Sequence, residues 1–156
     1  MDAAQFTAAV KLAVLFSGIF LWTGMLTGVW KYWQIRQSAQ SRAHYYVDIA
    51  HRSSLLYAPA SLILAVLAYF SAFSAWLNLL CVAINLVFFS FSILSYALHG
   101  WLQDTSNQFK TPHRLGAKMT LPNWMMTGAM LLLVAGEVGA TALLLLGTGW
   151  NFYAYS

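Results

Sequence analysis

The sequence predicts an all-α integral membrane protein, a four-transmembrane-helix bundle, on three observations. Of 156 residues, 60% are hydrophobic and only 8% charged, whereas a soluble domain is roughly a quarter charged. Four apolar stretches, at about 12–30, 55–74, 76–98 and 125–147, each come near the ~20 residues with which a helix crosses a bilayer. The basic residues are confined: Lys31, Arg36, Arg42 and Arg52 lie between spans one and two, and Lys110, Arg114 and Lys118 between spans three and four. Hydrocarbon offers a peptide group no hydrogen-bonding partner, so apolar runs of this length are helices whatever their Val and Phe content. The whole chain, 1–156, reads as a single transmembrane domain.

Span one is not expected to be a cleaved signal peptide. Only Lys11 lends positive charge ahead of it, and no A-x-A site closes it before Trp30-Lys31-Tyr32-Trp33. Residues 34–51 contain no Gly or Pro and many helix formers, which predicts a continuation of span one into the interface. Spans two and three are joined by the short, uncharged segment 71–77, predicting an antiparallel helical hairpin. Cys81, the only cysteine, falls inside span three, which excludes a disulfide framework and a cysteine metal cluster. Residues 100–123 carry Gly100, Thr111-Pro112, Gly116 and Leu121-Pro122-Asn123, turn signals that predict an ordered lid or re-entry at the membrane surface. Of Trp22, Trp30, Trp33, Trp76, Trp101, Trp124 and Trp150, most lie near span ends, where indoles anchor.

An even number of spans puts both basic connections on one side, which the positive-inside rule makes cytoplasmic. Both termini then lie outside, and a bacterial inner membrane is the expected location. The net charge of +4 is accounted for by this topology and by anionic lipid headgroups; no nucleic-acid partner is expected.

One helical stripe carries His44, Asp48, His51 and Leu55. An Asp between two histidines orients their tautomers and raises their basicity toward a metal or heme iron, or else pairs with Arg52 at i+4. His99 ends span three, and His113 stands in Thr111-Pro112-His113-Arg114. All four imidazoles are expected at one membrane level, which makes His51, His99 and His113 alternative ligands of a metal or heme centre. Glu137 lies about ten residues inside span four, where an ionisable group must face protein and be neutralised or paired. Asn85 in span three is expected at similar depth and is its natural partner. Such a pair is either a proton or ligand site or hydrogen-bonded packing glue. Gly24-x3-Gly28 and Gly136-x2-Gly139-Ala140 are strips where helices can approach closely. The sequence has no P-loop and no dinucleotide fingerprint.

The run Ala50-His51-Arg52-Ser53-Ser54-Leu55-Leu56-Tyr57-Ala58-Pro59 resembles the opening of span two in two families of small four-helix membrane enzymes, both trimeric. One is the MAPEG family of glutathione-using enzymes: Ala50-His51 and Pro59 match its motif, while its Asn, Glu and Arg fall on Ser53, Leu56 and Tyr96. The other is the styrene oxide isomerase and hydroxylaminobenzene mutase group, in which the histidine of the Ala-His pair binds ferric heme b. That resemblance implies heme b on His51, and the helical stripe sets His44 and Asp48 beside it. It also implies catalytic positions around an epoxide at Tyr96, 45 residues after His51 like the family's active-site tyrosine, and at Tyr57, six after it, where the family has an asparagine. It implies a homotrimer as well.

The expected function is therefore a membrane-embedded enzyme acting on a small hydrophobic molecule, as a heme-dependent epoxide isomerase would. The alternatives are a noncatalytic lipid-binding or assembly subunit of a membrane complex, and a MAPEG-type glutathione-dependent enzyme.

Overall fold

The computed structural model of the protein describes residues 6–116 and 119–154. Four helices, α1 Ala8–Gln37, α2 Tyr45–Phe70, α3 Ala75–Leu102 and α4 Asn123–Ala154, form a bundle. Each is long and apolar enough to cross a membrane, as the four apolar runs predict. Between α3 and α4 a short antiparallel pair, β1 His113–Leu115 and β2 Met119–Leu121, sets His113 opposite Leu121.

The helices run to 30, 26, 28 and 32 residues. At about 1.5 Å per residue each exceeds the ~30 Å of bilayer hydrocarbon. The first three overrun their predicted spans mainly at one end, where both long connections meet. Their meeting is direct, because the Gln108 N–H of the second connection donates to the Tyr46 hydroxyl at the start of α2, at 2.6 Å. Whatever this end holds stands near headgroup level.

Residues 34–51 do not form the single helix expected of them. α1 stops at Gln37, Ser41 sits in the left-handed region at φ 53°, and α2 begins at Tyr45 with His44 as its N-cap. Two local bonds fold the chain back: the Ser41 N–H donates to the Ser38 carbonyl at 3.0 Å, and the His44 N–H donates to Gln34 Oε1 at 2.9 Å. A lone helical extension in water is marginal, whereas folding back buries Val47 and Ala50 completely.

α1 and α2 then pack closely along a glycine strip. A Cβ at Gly24 would lie 2.9 Å from Leu55 Cγ, and one at Gly28 would lie 2.9 Å from His51 Cε1. The core runs through Ala13 and Phe20 of α1, Ala58, Leu64 and Ala65 of α2, Val82, Leu86 and Phe89 of α3, and Leu144 of α4.

α4 is fastened at one end. Near the α2–α3 turn the Ala72 N–H donates to the Gly147 carbonyl at 3.0 Å, Thr148 Oγ1 to the Leu67 carbonyl at 2.9 Å and Asn151 Nδ2 to the Phe70 carbonyl at 2.8 Å. Its buried residues, Ala140, Leu144, Gly147 and Thr148, all belong to its second half.

Candidate functional site: a lidded cavity between α3 and α4

α3 and α4 meet where Gly136 admits the Phe88 ring, which a Cβ would overlap, and where Thr141 Oγ1 donates to Asn85 Oδ1 at 3.1 Å. Toward the loop end α4 contributes no buried residue, the helices part, and a cavity of about 430 Å³ opens between them. Met125, Met126, Met130 and Leu133 line it from α4, and Phe91, Leu94 and Leu98 from α3. Gln108, Phe109, Leu115 and Leu121 of the connection roof it. Leu94 and Phe91 are 68% and 55% exposed, so the rim faces the lipid side. The polar lining is sparse: Tyr57, Ser92, Ser95, Tyr96, His99 and Gln108. No Lys or Arg lines it among the described residues, which suits a neutral ligand.

His99, in the last turn of α3, is the chemically distinctive lining residue. Gln103 caps the helix in the left-handed conformation with its N–H on the His99 carbonyl, turning the chain so that Asp104 faces back. His99 Nδ1 then lies 2.8 Å from Asp104 Oδ1, both side chains being nearly buried. The other carboxylate oxygen, Oδ2, accepts the Gly116 N–H at 2.6 Å, so one group fixes the imidazole and ties down the roof. Burial pushes the Asp104 carboxyl up, but the Gly116 N–H and His99 together outweigh it and hold it below its ordinary value. An ionised Asp104 assigns the proton of the neutral ring to Nδ1 and leaves Nε2 with a lone pair. Tyr46 backs the pair, stacked on Tyr96 at 6.0 Å between ring centroids and 5.3 Å from the His99 ring. His113 Nδ1 holds the roof by donating to the Gln108 carbonyl at 3.0 Å. His44 lies at the edge of this group; burial lowers its pKa, with Asp104 opposing and His99 reinforcing the shift.

The structure thus gathers Tyr57, Tyr96 and His99 around one cavity and leaves the other expected site residues outside it. Tyr57 lies at the inner end, stacked on Phe89 at 4.2 Å. His51 is wedged in the α1–α2 groove with Nδ1 2.8 Å from the Gly24 carbonyl. Six residues of helix place Tyr57 about 120° around α2 from it. Asp48 does not hydrogen-bond either neighbouring histidine. It bridges Lys31 and Arg52, because permanent cations within reach attract a carboxylate more than neutral imidazoles do. His44 caps α2, accepting the Tyr46 N–H at Nδ1, and so leaves the expected stripe. Among the described residues, no three of His, Cys, Asp or Glu converge in a group that could hold a metal ion.

The expected Asn85–Glu137 pair does not form either. Asn85 bonds Thr141 and, through Nδ2, the Cys81 carbonyl at 3.0 Å. Glu137 Oε1 is buried without a partner, because Thr141, one turn along α4, takes the amide instead. Sequence reasoning missed Asp104, Tyr46 and Gln108. A carboxylate five residues after a helix-ending histidine was the available signal for the first; for the Tyr46–Gln108 contact, 62 residues apart, the sequence held none.

Comparison with protein-family profiles, with curated proteins and with solved structures finds no match for the chain. The class is defined by fold and site: a four-helix membrane protein with an apolar, loop-roofed cavity. Beside that cavity a carboxylate orients one imidazole.

Proposed function

We propose that the protein is a membrane-embedded isomerase of a small, neutral, hydrophobic molecule, which reaches the α3–α4 cavity sideways from the bilayer and meets His99 there. The observation that carries this reading is the His99–Asp104 pair at the wall of an otherwise apolar cavity. With Nδ1 engaged, Nε2 can take the proton from one epoxide carbon as the bond between the oxygen and the other carbon breaks, and return it to that other carbon of the enolate so formed; the product is the isomeric ketone and no co-reactant is needed. The Tyr96 and Tyr57 hydroxyls supply hydrogen bonds for a ligand oxygen. The basic residues of the two connections support a roof on the cytoplasmic side, and the family resemblance supports a homotrimer.

The test is turnover of aryl epoxides and ketones in deuterated buffer by protein in nanodiscs, read by mass spectrometry. Rearranged or deuterium-exchanged product is expected. A loss of about 10²- to 10⁴-fold in His99→Ala is expected for an acid–base group. Turnover that survives His99→Ala overturns the reading; binding without turnover favours a lipid-binding or assembly role.

A second reading, heme b on His51, draws on a separate observation. Nδ1 of that ring is anchored on the Gly24 carbonyl, which leaves Nε2 as a metal ligand commonly is left. The His51 imidazole would be the residue to hold the iron, although Tyr57 and Tyr96 line a different part of the molecule. Bound heme would supply a Lewis-acidic iron for an oxygen-bearing substrate. A Soret band lost in His51→Ala supports this reading, and a colourless but active protein removes it.

A further inference from the structure

One helical turn beyond the inner end of the cavity lining stands a group with no assigned work. Met126, Met130 and Leu133 of α4 line the cavity. At intervals of four and three residues they form one stripe of the helix, and Glu137, four residues beyond Leu133, continues it. Its neighbours Val134 and Val138 are 52% and 65% exposed on the lipid side, whereas Glu137 Oε1 is buried. It lies within electrostatic reach of Tyr57 and Tyr96, both on the cavity wall, yet Oε1 is buried with no hydrogen-bond partner in the protein. Gly136 and Thr141 close the α3–α4 seam around it, so it stands where the two helices begin to part.

A carboxylate at this depth, without a cation, would cost several kcal/mol or more, so the group is a neutral acid. A neutral acid carries one O–H donor and one carbonyl acceptor, and leaving either unpaired in a buried site costs about 1–3 kcal/mol. A group kept in that state beside a cavity gains its missing bond when a ligand arrives.

We propose that Glu137 is a hydrogen-bond donor of the binding site, recognising an acceptor oxygen at the leading end of the apolar ligand. This inference rests on the cavity being a ligand site and specifies the ligand: a lipid-soluble molecule with a carbonyl, ether or epoxide oxygen. The oxygen lies toward mid-membrane, and His99 acts at the opposite, roofed end. A pure hydrocarbon lacks the feature that Glu137 reads.

A matched pair of probes tests it: benzophenone and diphenylmethane, alike in shape and differing in one carbonyl, titrated against the full chain in phosphatidylcholine nanodiscs. Wild type is expected to prefer benzophenone roughly three- to tenfold, the size of one net hydrogen bond. Its carbonyl stretch is expected to move to lower frequency on binding. Glu137→Leu should abolish both the preference and the shift while leaving diphenylmethane binding unchanged, and Glu137→Gln, with an amide donor, should keep part of each. Equal binding of the two probes by wild type, or a preference that survives Glu137→Leu, overturns the role of Glu137 and leaves the cavity reading standing. If neither probe binds, the cavity reading falls and this inference falls with it. The infrared shift in wild type needs no variant, so its absence decides the matter even if a substitution impairs folding.

Discussion

Asp104 has two oxygens and two tasks, and its titration should be visible in the roof. Its carboxyl is held below the ordinary 3.8, so the folded state favours the ionised form. That contribution is complete above the ordinary value and is lost as pH falls through the lower, folded one. Protection of the amides over residues 104–116, measured relative to their intrinsic exchange rates, should therefore be high at neutral pH and fall only in acid, and Asp104→Asn should show the low protection at every pH. Tyr46→Phe removes the acceptor of the Gln108 N–H. Leaving a buried donor unpaired costs about 1–3 kcal/mol, so exchange at the 108 amide should rise by one to two orders of magnitude with the helices unaffected. His51 teaches a different lesson at this scale. Helical spacing put it in line with Asp48, but two cations and a nearby carbonyl outcompeted that pairing, and neither is visible from spacing along one helix.

At the scale of elements, hydropathy located the helices well and their ends poorly. The four apolar runs correspond to α1–α4 because hydrocarbon leaves the backbone no alternative. The break at 38–44 was hidden because no Gly or Pro marks it. A side chain, Gln34, makes the turn, and the stretch 34–51 reads locally as helix. The glycine strips were legible as close approaches but not their partners. Gly28→Ala would bring a methyl 2.9 Å from the His51 ring, whereas a methyl at Gly139 would meet nothing within 4 Å. Gly28→Ala should lower stability by about 1–3 kcal/mol through overpacking, while Gly139→Ala should leave it unchanged or slightly raised. Thermal unfolding of the two variants in one detergent makes the comparison.

For the whole molecule, the site is a product of uneven packing, which no single-segment reading could supply. Hydropathy shows that α4 is apolar; it does not show that only its second half is buried. The cavity follows from that difference, and filling it should separate function from stability. Ala129→Trp, placed on the lining, should abolish probe binding and leave the melting temperature within a few degrees of wild type, as ligand titration beside thermal unfolding would show. α4 is in mechanical terms unevenly braced, clamped by Gly147, Thr148 and Asn151, seamed to α3 as far as Gly136, and without a buried residue toward its methionines. The thioether side chains along that unburied half conform to whatever shape fills the gap. A chamber with one yielding wall sorts guests poorly by girth, so discrimination is left to the fixed chemistry on the opposite wall and at the vertex. Guests of different bulk should be accepted while those with a misplaced oxygen are refused.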